Sequence, residues 1–233
     1  MATACHTKIM RKIVLALLVA AAHAFVPRAG VAPTRRRGSV TAPSMNVLES
    51  LLGLGKKTYD APCVMGEEEI MSPKAHGTSA TPVQQNLRWS CDVQTADRIC
   101  NFNRHYAEYR GYFDRETSFF SENNLKLVGA SVAPIGEGPP PTVDFYDSNT
   151  GKLLFTAPKG RTWEEFAAES LKHGWPSFRD EEVNWDYVRC LGNGECVSVD
   201  GTHLGHNLPD GGNRYCINLV SVAGNPVNPE TAD

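Results

Sequence analysis

The first 48 residues contain no aspartate or glutamate, yet they hold seven lysines and arginines. That one-sided charge is the composition of a targeting segment. The same stretch also lacks an apolar run long enough to cross a bilayer. Lys8, Arg11 and Lys12 precede the run Ile13 to Ala22, whose ten residues fall short of the ~20 that a span needs. Ala22-His23-Ala24 supplies small residues at cleavage spacing, so residues 1–24 read as a secretory signal peptide. Residues 25–45 carry Arg28, Arg35, Arg36, Arg37, Ser39 and Thr41 without an acid, the composition of a plastid transit peptide. Signal plus transit segment predicts delivery to a plastid; an ordinary secreted protein with a basic pro-segment is the alternative. Once this leader is set aside, 16 basic groups face 26 acidic ones, a net charge near −10. No basic stripe is left to hold a nucleic acid, and no membrane segment is expected in the mature form.

Residues 46–86 read as an arm. Met45 to Gly55 offers one short helix through Val47, Leu48, Leu51 and Leu52, and Lys56 to Val83 is broken by Pro62, Pro73 and Pro82. Cys63 there reads as a surface thiol. A single domain is predicted for residues 87–228. From Thr95 to Tyr109, Ile99, Phe102, Tyr106 and Tyr109 recur at helical spacing and predict one apolar face, with Cys100 and His105 beside it. Cys91 and Cys100 are free to pair, although their spacing does not demand it. Val143 to Tyr146 and Lys152 to Ala157 flank a turn cluster and predict a hairpin. Thr162 and Glu165 form a capping-box pair that opens a helix, with Trp163, Phe166, Ala167 and Leu171 on its buried face and Gly174 at its end. Trp185 to Leu191 and Glu195 to Val199 flank Gly192-Asn193-Gly194 and predict a second hairpin. The fold class is therefore mainly β (α+β): antiparallel β-sheets with two or three peripheral helices around one core.

The densest chemistry lies from Gly201 to Asn218. His203 and His206 precede the turn Pro209-Asp210-Gly211-Gly212, and Arg214 to Val222 reads as a strand. Alternation places Arg214, Cys216 and Asn218 on one side of that strand. A neighbouring cation or protonated histidine lowers a thiol pKa, and the thiolate is the nucleophile, so the arrangement suits cysteine chemistry.

His203-Leu204-Gly205-His206, then Pro209-Asp210-Gly211, then Arg214-Tyr215-Cys216-Ile217-Asn218 resembles the C-terminal signature of the B-type methionine-R-sulfoxide reductases. Gly174-Trp175-Pro176-Ser177-Phe178 is a second match in the expected order. The resemblance covers roughly Val143 to Ala223, about a third of the chain, and implies that family's fold. It also implies that Cys216 attacks a sulfoxide sulfur and is left as a sulfenic acid, a reaction placed on the methionine oxidation ladder. Protonated His203 or His206 would act as general acid. Asp210 would orient that histidine or hold a water, Arg214 would favour the thiolate, and Asn218 would fix the local strand. Trp175, with Phe178 in the same motif, would bind substrate, which is either an oxidised protein or free methionine sulfoxide. The family's two Cys-x-x-Cys pairs fall here at Asp147 and Thr150 and at Val197 and Asp200, so no structural zinc and no other cofactor are expected.

The family's usual recycling cysteine falls at His173. Cys190 and Cys196 stand as candidate resolving thiols, opposite each other if Gly192, Asn193 and Gly194 all form the loop. Otherwise an external reductant, thioredoxin or glutaredoxin, regenerates Cys216. Two further readings stay open: a zinc site built from Cys190, Cys196, His203 and His206, and a non-catalytic binding module of the same fold.

Overall fold

Short alternating segments punctuated by glycine turns pair into three antiparallel sheets in the computed structural model, which describes residues 59–74, 81–129, 131–138 and 141–227. The expected signal peptide, transit-like segment and Met45–Gly55 helix lie outside these residues. Strands β1 (Leu125–Val128) and β2 (Ser131–Pro134) form one two-stranded sheet, and β3 (Val143–Tyr146) and β4 (Leu153–Ala157) form another. The remaining five are β5 (Ser177–Phe178), β6 (Val188–Cys190), β7 (Glu195–Ser198), β8 (His203–Asn207) and β9 (Tyr215–Ile217). They form one sheet in the order β5-β9-β8-β7-β6. Four short α-helices accompany them among the described residues: α1 (Val93–Asp97), α2 (Tyr112–Arg115), α3 (Phe119–Glu122) and α4 (Trp163–His173). The coarse class is α+β with mostly antiparallel pairing.

Helix α4 follows from its sequence in detail. Thr162 accepts from Glu165 N while the Glu165 side chain accepts from Thr162 N, the reciprocal cap that satisfies two orphan donors. Trp163, Phe166, Ala167 and Ser170 are buried, and Gly174 ends the helix at φ 92°. A Cβ at Gly174 would lie 2.1 Å from Arg110 Cγ, so both conformation and packing require glycine there. Beneath α4 the core is aromatic. Phe178 stacks on Phe155 at 4.3 Å between ring centroids and meets Phe145 edge-on at 4.9 Å, and Phe119 stacks on Phe145 at 5.7 Å. Offset and edge-on pairs of this kind add about 0.5–1.5 kcal/mol each beyond their buried area.

Three expectations change. The helix predicted from Thr95 to Tyr109 ends early. After α1 the chain makes one π-helical turn, Arg98–Phe102, and Asn103 is already extended (φ −143°, ψ 98°). Phe102, Tyr106 and Tyr109 are exposed, and of that supposed face Ile99 alone is buried. The strand predicted for Arg214 to Val222 stops at Ile217, because Leu219–Ser221 turns into a 3-10 helix. The arm before Leu87 is not simply extended. Residues Glu68–Lys74 form a 3-10 helix, Met71 is fully buried against Leu191 and Val197, and Met65 bridges Cys190 in parallel. The arm thereby covers the open edge of β6, which would otherwise present unpaired backbone groups.

The β3–β4 turn and the β7–β8 turn meet. Asp147 is buried, and its Oδ1 accepts from Asn149 N at 2.8 Å and Thr202 Oγ1 at 2.9 Å. Lys152 and Asp200 form an ion pair at 2.9 Å, and Thr150 Oγ1 donates to Asp200 at 3.5 Å. Val197 packs instead into the small apolar cluster with Met71.

Candidate active site

Cross-strand pairing builds the site as a row. Glu195 faces His206, His206 faces Cys216, and Cys216 faces Ser177, across β7, β8, β9 and β5. Residues directly opposite in antiparallel strands share a face, so these four lie on one side of the sheet. His203 needs a further device, since residues three apart in a regular strand face opposite ways. Between Cys196 and Val197 the register slips: Cys196 faces Gly205, but the next residue, Val197, faces His203. Two residues of β8 thus answer one of β7, a β-bulge, and His203 returns to the side of His206. The two imidazoles meet edge to face at 5.7 Å between centroids. Gly205 lets the strands close: a Cβ there would lie 2.0 Å from Cys216 O.

His203 is buried, and its Nδ1 lies 2.7 Å from Glu195 Oε1. Glu195 is also held by Arg104, whose Nε lies 3.0 Å from Oε2 and whose Nη2 lies 2.5 Å from it. Burial opposes ionisation of Glu195, but the hydrogen bonds from His203 and Arg104 outweigh it and bring its pKa down to about 2. An ionised Glu195 makes His203 Nδ1 the donor and leaves Nε2 as the ring nitrogen available to chemistry.

Cys216 is half-buried. Burial raises its pKa most; Arg214, two residues back on the same side, lowers it by charge and by a hydrogen bond, and Glu108 raises it. The net direction is upward, so Cys216 rests as a thiol, with Arg214 limiting the cost of ionising it. Arg214 is itself buried, and its Nε and Nη1 have no hydrogen-bond partner among the described residues. A buried cation with unused donors favours any negative charge that develops beside it.

A cleft of about 170 Å³ opens over Cys216, walled by Trp175, His203, His206, Leu208 and the segment His105–Ala107. The π-helical turn delivers that segment, and Glu108 fastens it. Trp175 Nε1 donates to Glu108 O at 3.0 Å, and Glu108 N donates to Asn218 Oδ1 at 3.1 Å. The Glu108 carboxyl accepts from Leu219 N at 2.9 Å and Val220 N at 3.2 Å. Burial raises the Glu108 pKa to about 8 despite those two bonds. Asn218 closes the set by donating Nδ2 to Leu204 O at 3.0 Å, which ties the end of β9 to β8.

Of the residues singled out in the sequence, Cys216, His203, His206, Arg214, Asn218 and Trp175 converge here. Four do not. Phe178 faces Tyr215 rather than Cys216 and is fully buried in the aromatic core, because it alternates with Ser177. Asp210 is exposed at the turn, with Oδ2 3.8 Å from His173 Nε2; Glu195 holds the histidine instead. Cys190 and Cys196 pair with each other as predicted for a three-residue loop, but Cys196 faces Gly205 and Ile217 follows in that row. That row is the other face of the sheet from Cys216, so neither thiol reaches Cys216 and a four-ligand site with the histidines is not formed. Among the described residues, no group of three or more His, Cys, Asp or Glu is placed to hold a metal. The sequence reading missed Glu195, Arg104 and Glu108. Glu195 left a signal, as the one charged residue in β7, two places beyond the Gly192-Asn193 turn. Arg104 and Glu108 sit in irregular chain and left none. Comparison of the chain with protein-family models, with curated proteins and with solved structures returns no match.

Proposed function

We propose that this protein reduces methionine-R-sulfoxide, in proteins or as the free amino acid, with Cys216 as nucleophile. The observation that supports it best is the gathering of a thiol, a buried guanidinium and a carboxylate-held imidazole on one sheet face beneath Trp175. Trp175 offers an apolar wall for the S-methyl group. Cys216 attacks the sulfoxide sulfur as thiolate, and a histidine, His203 or His206, protonates the departing oxygen. The attack joins the Cys216 and methionine sulfurs. The protonated oxygen then passes from the methionine sulfur to the Cys216 sulfur as the sulfur–sulfur and original sulfur–oxygen bonds break, so methionine leaves and Cys216 is left as a sulfenic acid. Arg214 stabilises the negative charge on the Cys216 sulfur before the attack. With Cys190 and Cys196 on the far face, an external thiol returns Cys216 to its resting state: one thiol forms a mixed disulfide and releases water, and a second displaces Cys216. Thioredoxin or glutaredoxin is the partner this reading requires, and the acid-free leader supports a plastid location. The finer fold, that of the B-type methionine-R-sulfoxide reductases, is part of the same proposal. The test is turnover of the separated R and S sulfoxides by wild type and Cys216→Ser with dithiothreitol as reductant. Turnover of the R epimer alone, lost in the serine variant, is expected. Equal turnover of the S epimer, or an active serine variant, would falsify the reading.

A further inference from the structure

On the other face of the five-stranded sheet lies a second group of thiols that the chemistry at Cys216 does not use. Cys190 and Cys196 are fully buried and directly opposed, with Sγ atoms 3.6 Å apart. Their pairing is the narrow, non-hydrogen-bonded kind. Leu191 N bonds Glu195 O at 2.8 Å, whereas both backbone groups of Cys190 turn outward to the arm: its N–H to Val64 O at 2.9 Å and its C=O to Gly66 N at 2.8 Å. Narrow pairs hold Cα atoms about 4.5 Å apart, inside the range a disulfide spans. The third thiol is Cys63 on the arm, half-buried, lying against the Cys190 thiol and the Tyr215 hydroxyl. Three thiols therefore form a chain from the surface inward: Cys63, then Cys190, then Cys196.

We propose that Cys63, Cys190 and Cys196 form a second redox site, in which Cys190 and Cys196 close a reversible cross-strand disulfide and Cys63 is its point of entry for a low-molecular-weight disulfide. In the first step the Cys63 thiolate attacks that disulfide, forming a mixed disulfide and releasing one small thiol. Cys190 attacks the Cys63 sulfur and releases the second small thiol. Cys196 then attacks Cys190, and Cys63 leaves as a thiol. Two protein thiols have lost two electrons and two protons, and one external disulfide has become two thiols. The contact with Cys190, and then burial, raise the pKa of Cys63; contact with Cys196 does the same for Cys190. Exchange is accordingly slow at neutral pH and quickens as pH rises, because the thiolate is the attacking species. Once a sulfur reaches Cys190, closure is favoured by proximity.

This site stands whether or not Cys216 reduces sulfoxides, and a Cys216→Ser background keeps the two apart. The experiment is incubation of that protein with oxidised glutathione at mildly alkaline pH, with thiols alkylated at intervals and mapped by peptide mass spectrometry. The expected product is a Cys190–Cys196 link, two hydrogens lighter than the dithiol and reversed by dithiothreitol. It should form about tenfold or more slowly when Cys63→Ser is added. Recovery of Cys190 and Cys196 as free thiols after prolonged exposure would overturn the disulfide. Unchanged closure in the Cys63→Ser protein would overturn the entry route. Cys196→Ala serves as the second variant: it should stop the chain at a stable Cys63–Cys190 link, and its absence there would also count against the relay.

Discussion

Replacing Glu195 by glutamine tests the reasoning about the site most directly. Its carboxylate is 1% exposed and accepts from both His203 and the Arg104 guanidinium. Its pKa stands at about 2 against an ordinary 4.5. At about 1.4 kcal/mol for each tenfold change in proton affinity, that difference makes the ionised state worth about 3 kcal/mol to the fold. The carboxyl binds its proton more weakly in the folded chain than in the unfolded one. Its contribution is therefore complete above about pH 4.5 and is lost as pH falls through about 2. Glu195→Gln leaves one acceptor oxygen, puts an NH2 donor where the second oxygen stood, and removes the charge; charge-assisted bonds are roughly twice as strong as neutral ones. Urea unfolding at pH 7 should show a loss of about 2–3 kcal/mol, shrinking below about 0.5 kcal/mol near pH 2. Turnover should fall by about 10²-fold, since an amide can present either its oxygen or its NH2 to His203 Nδ1 and no longer dictates which ring nitrogen carries the proton. A stability difference that is the same at pH 7 and near pH 2 would refute the electrostatic account of this cluster.

Other perturbations separate the remaining parts. Arg214→Met should move the alkaline limb of Cys216 alkylation to higher pH, because the group that lowers the thiol pKa is gone; an unmoved limb would show that burial alone sets it. Glu108 has the opposite sign to Glu195: raised to about 8, it binds its proton more tightly in the folded chain. Its stabilising contribution is full below about pH 4.5 and drains as pH rises through about 8, so Glu108→Gln should flatten the fall in melting temperature across that window. Trp175→Ala should weaken turnover more than stability, because the ring walls the cleft. A loss of about 3–5 kcal/mol with normal turnover by the surviving folded protein would make Trp175 a core residue instead.

What could be read from the sequence was local, and what could not was set by register or by irregular chain. Helix α4 was legible in its cap, its terminal glycine and three of its buried residues, because these are interactions within a dozen positions; Leu171, expected on that face, is only partly buried, and Ser170 is buried in its stead. The Cys190–Cys196 pairing was legible once the loop length was chosen, since a hairpin's register depends on its turn. The assignment of those thiols to Cys216 failed one strand further out, where only the order β9-β8-β7-β6 decides which face each one takes. Phe178 failed for a related reason: the motif that contains it is a strand, and alternation sends neighbours Ser177 and Phe178 to opposite sides. His203 shows the converse. Strict alternation would have excluded it from the side of His206, and the bulge that restores it is a two-against-one count that no run of side chains in β8 announces. The far wall of the cleft was least legible. Tyr106 and Tyr109 keep helical spacing with Ile99, yet a single π turn and the extended Asn103 send them to the surface and bring His105 to the cleft. Periodicity marks faces that the core buries; Tyr106 and Tyr109 are exposed, and Tyr106 alone of the two lines the cleft, so their spacing carried no information about where they lie. The chain seals that wall with Glu108, a buried acid held by backbone N–H groups from beyond β9. Burying a carboxyl costs stability unless such donors meet it, and here the cost is accepted where it holds Trp175 and the Cys216 strand in one piece.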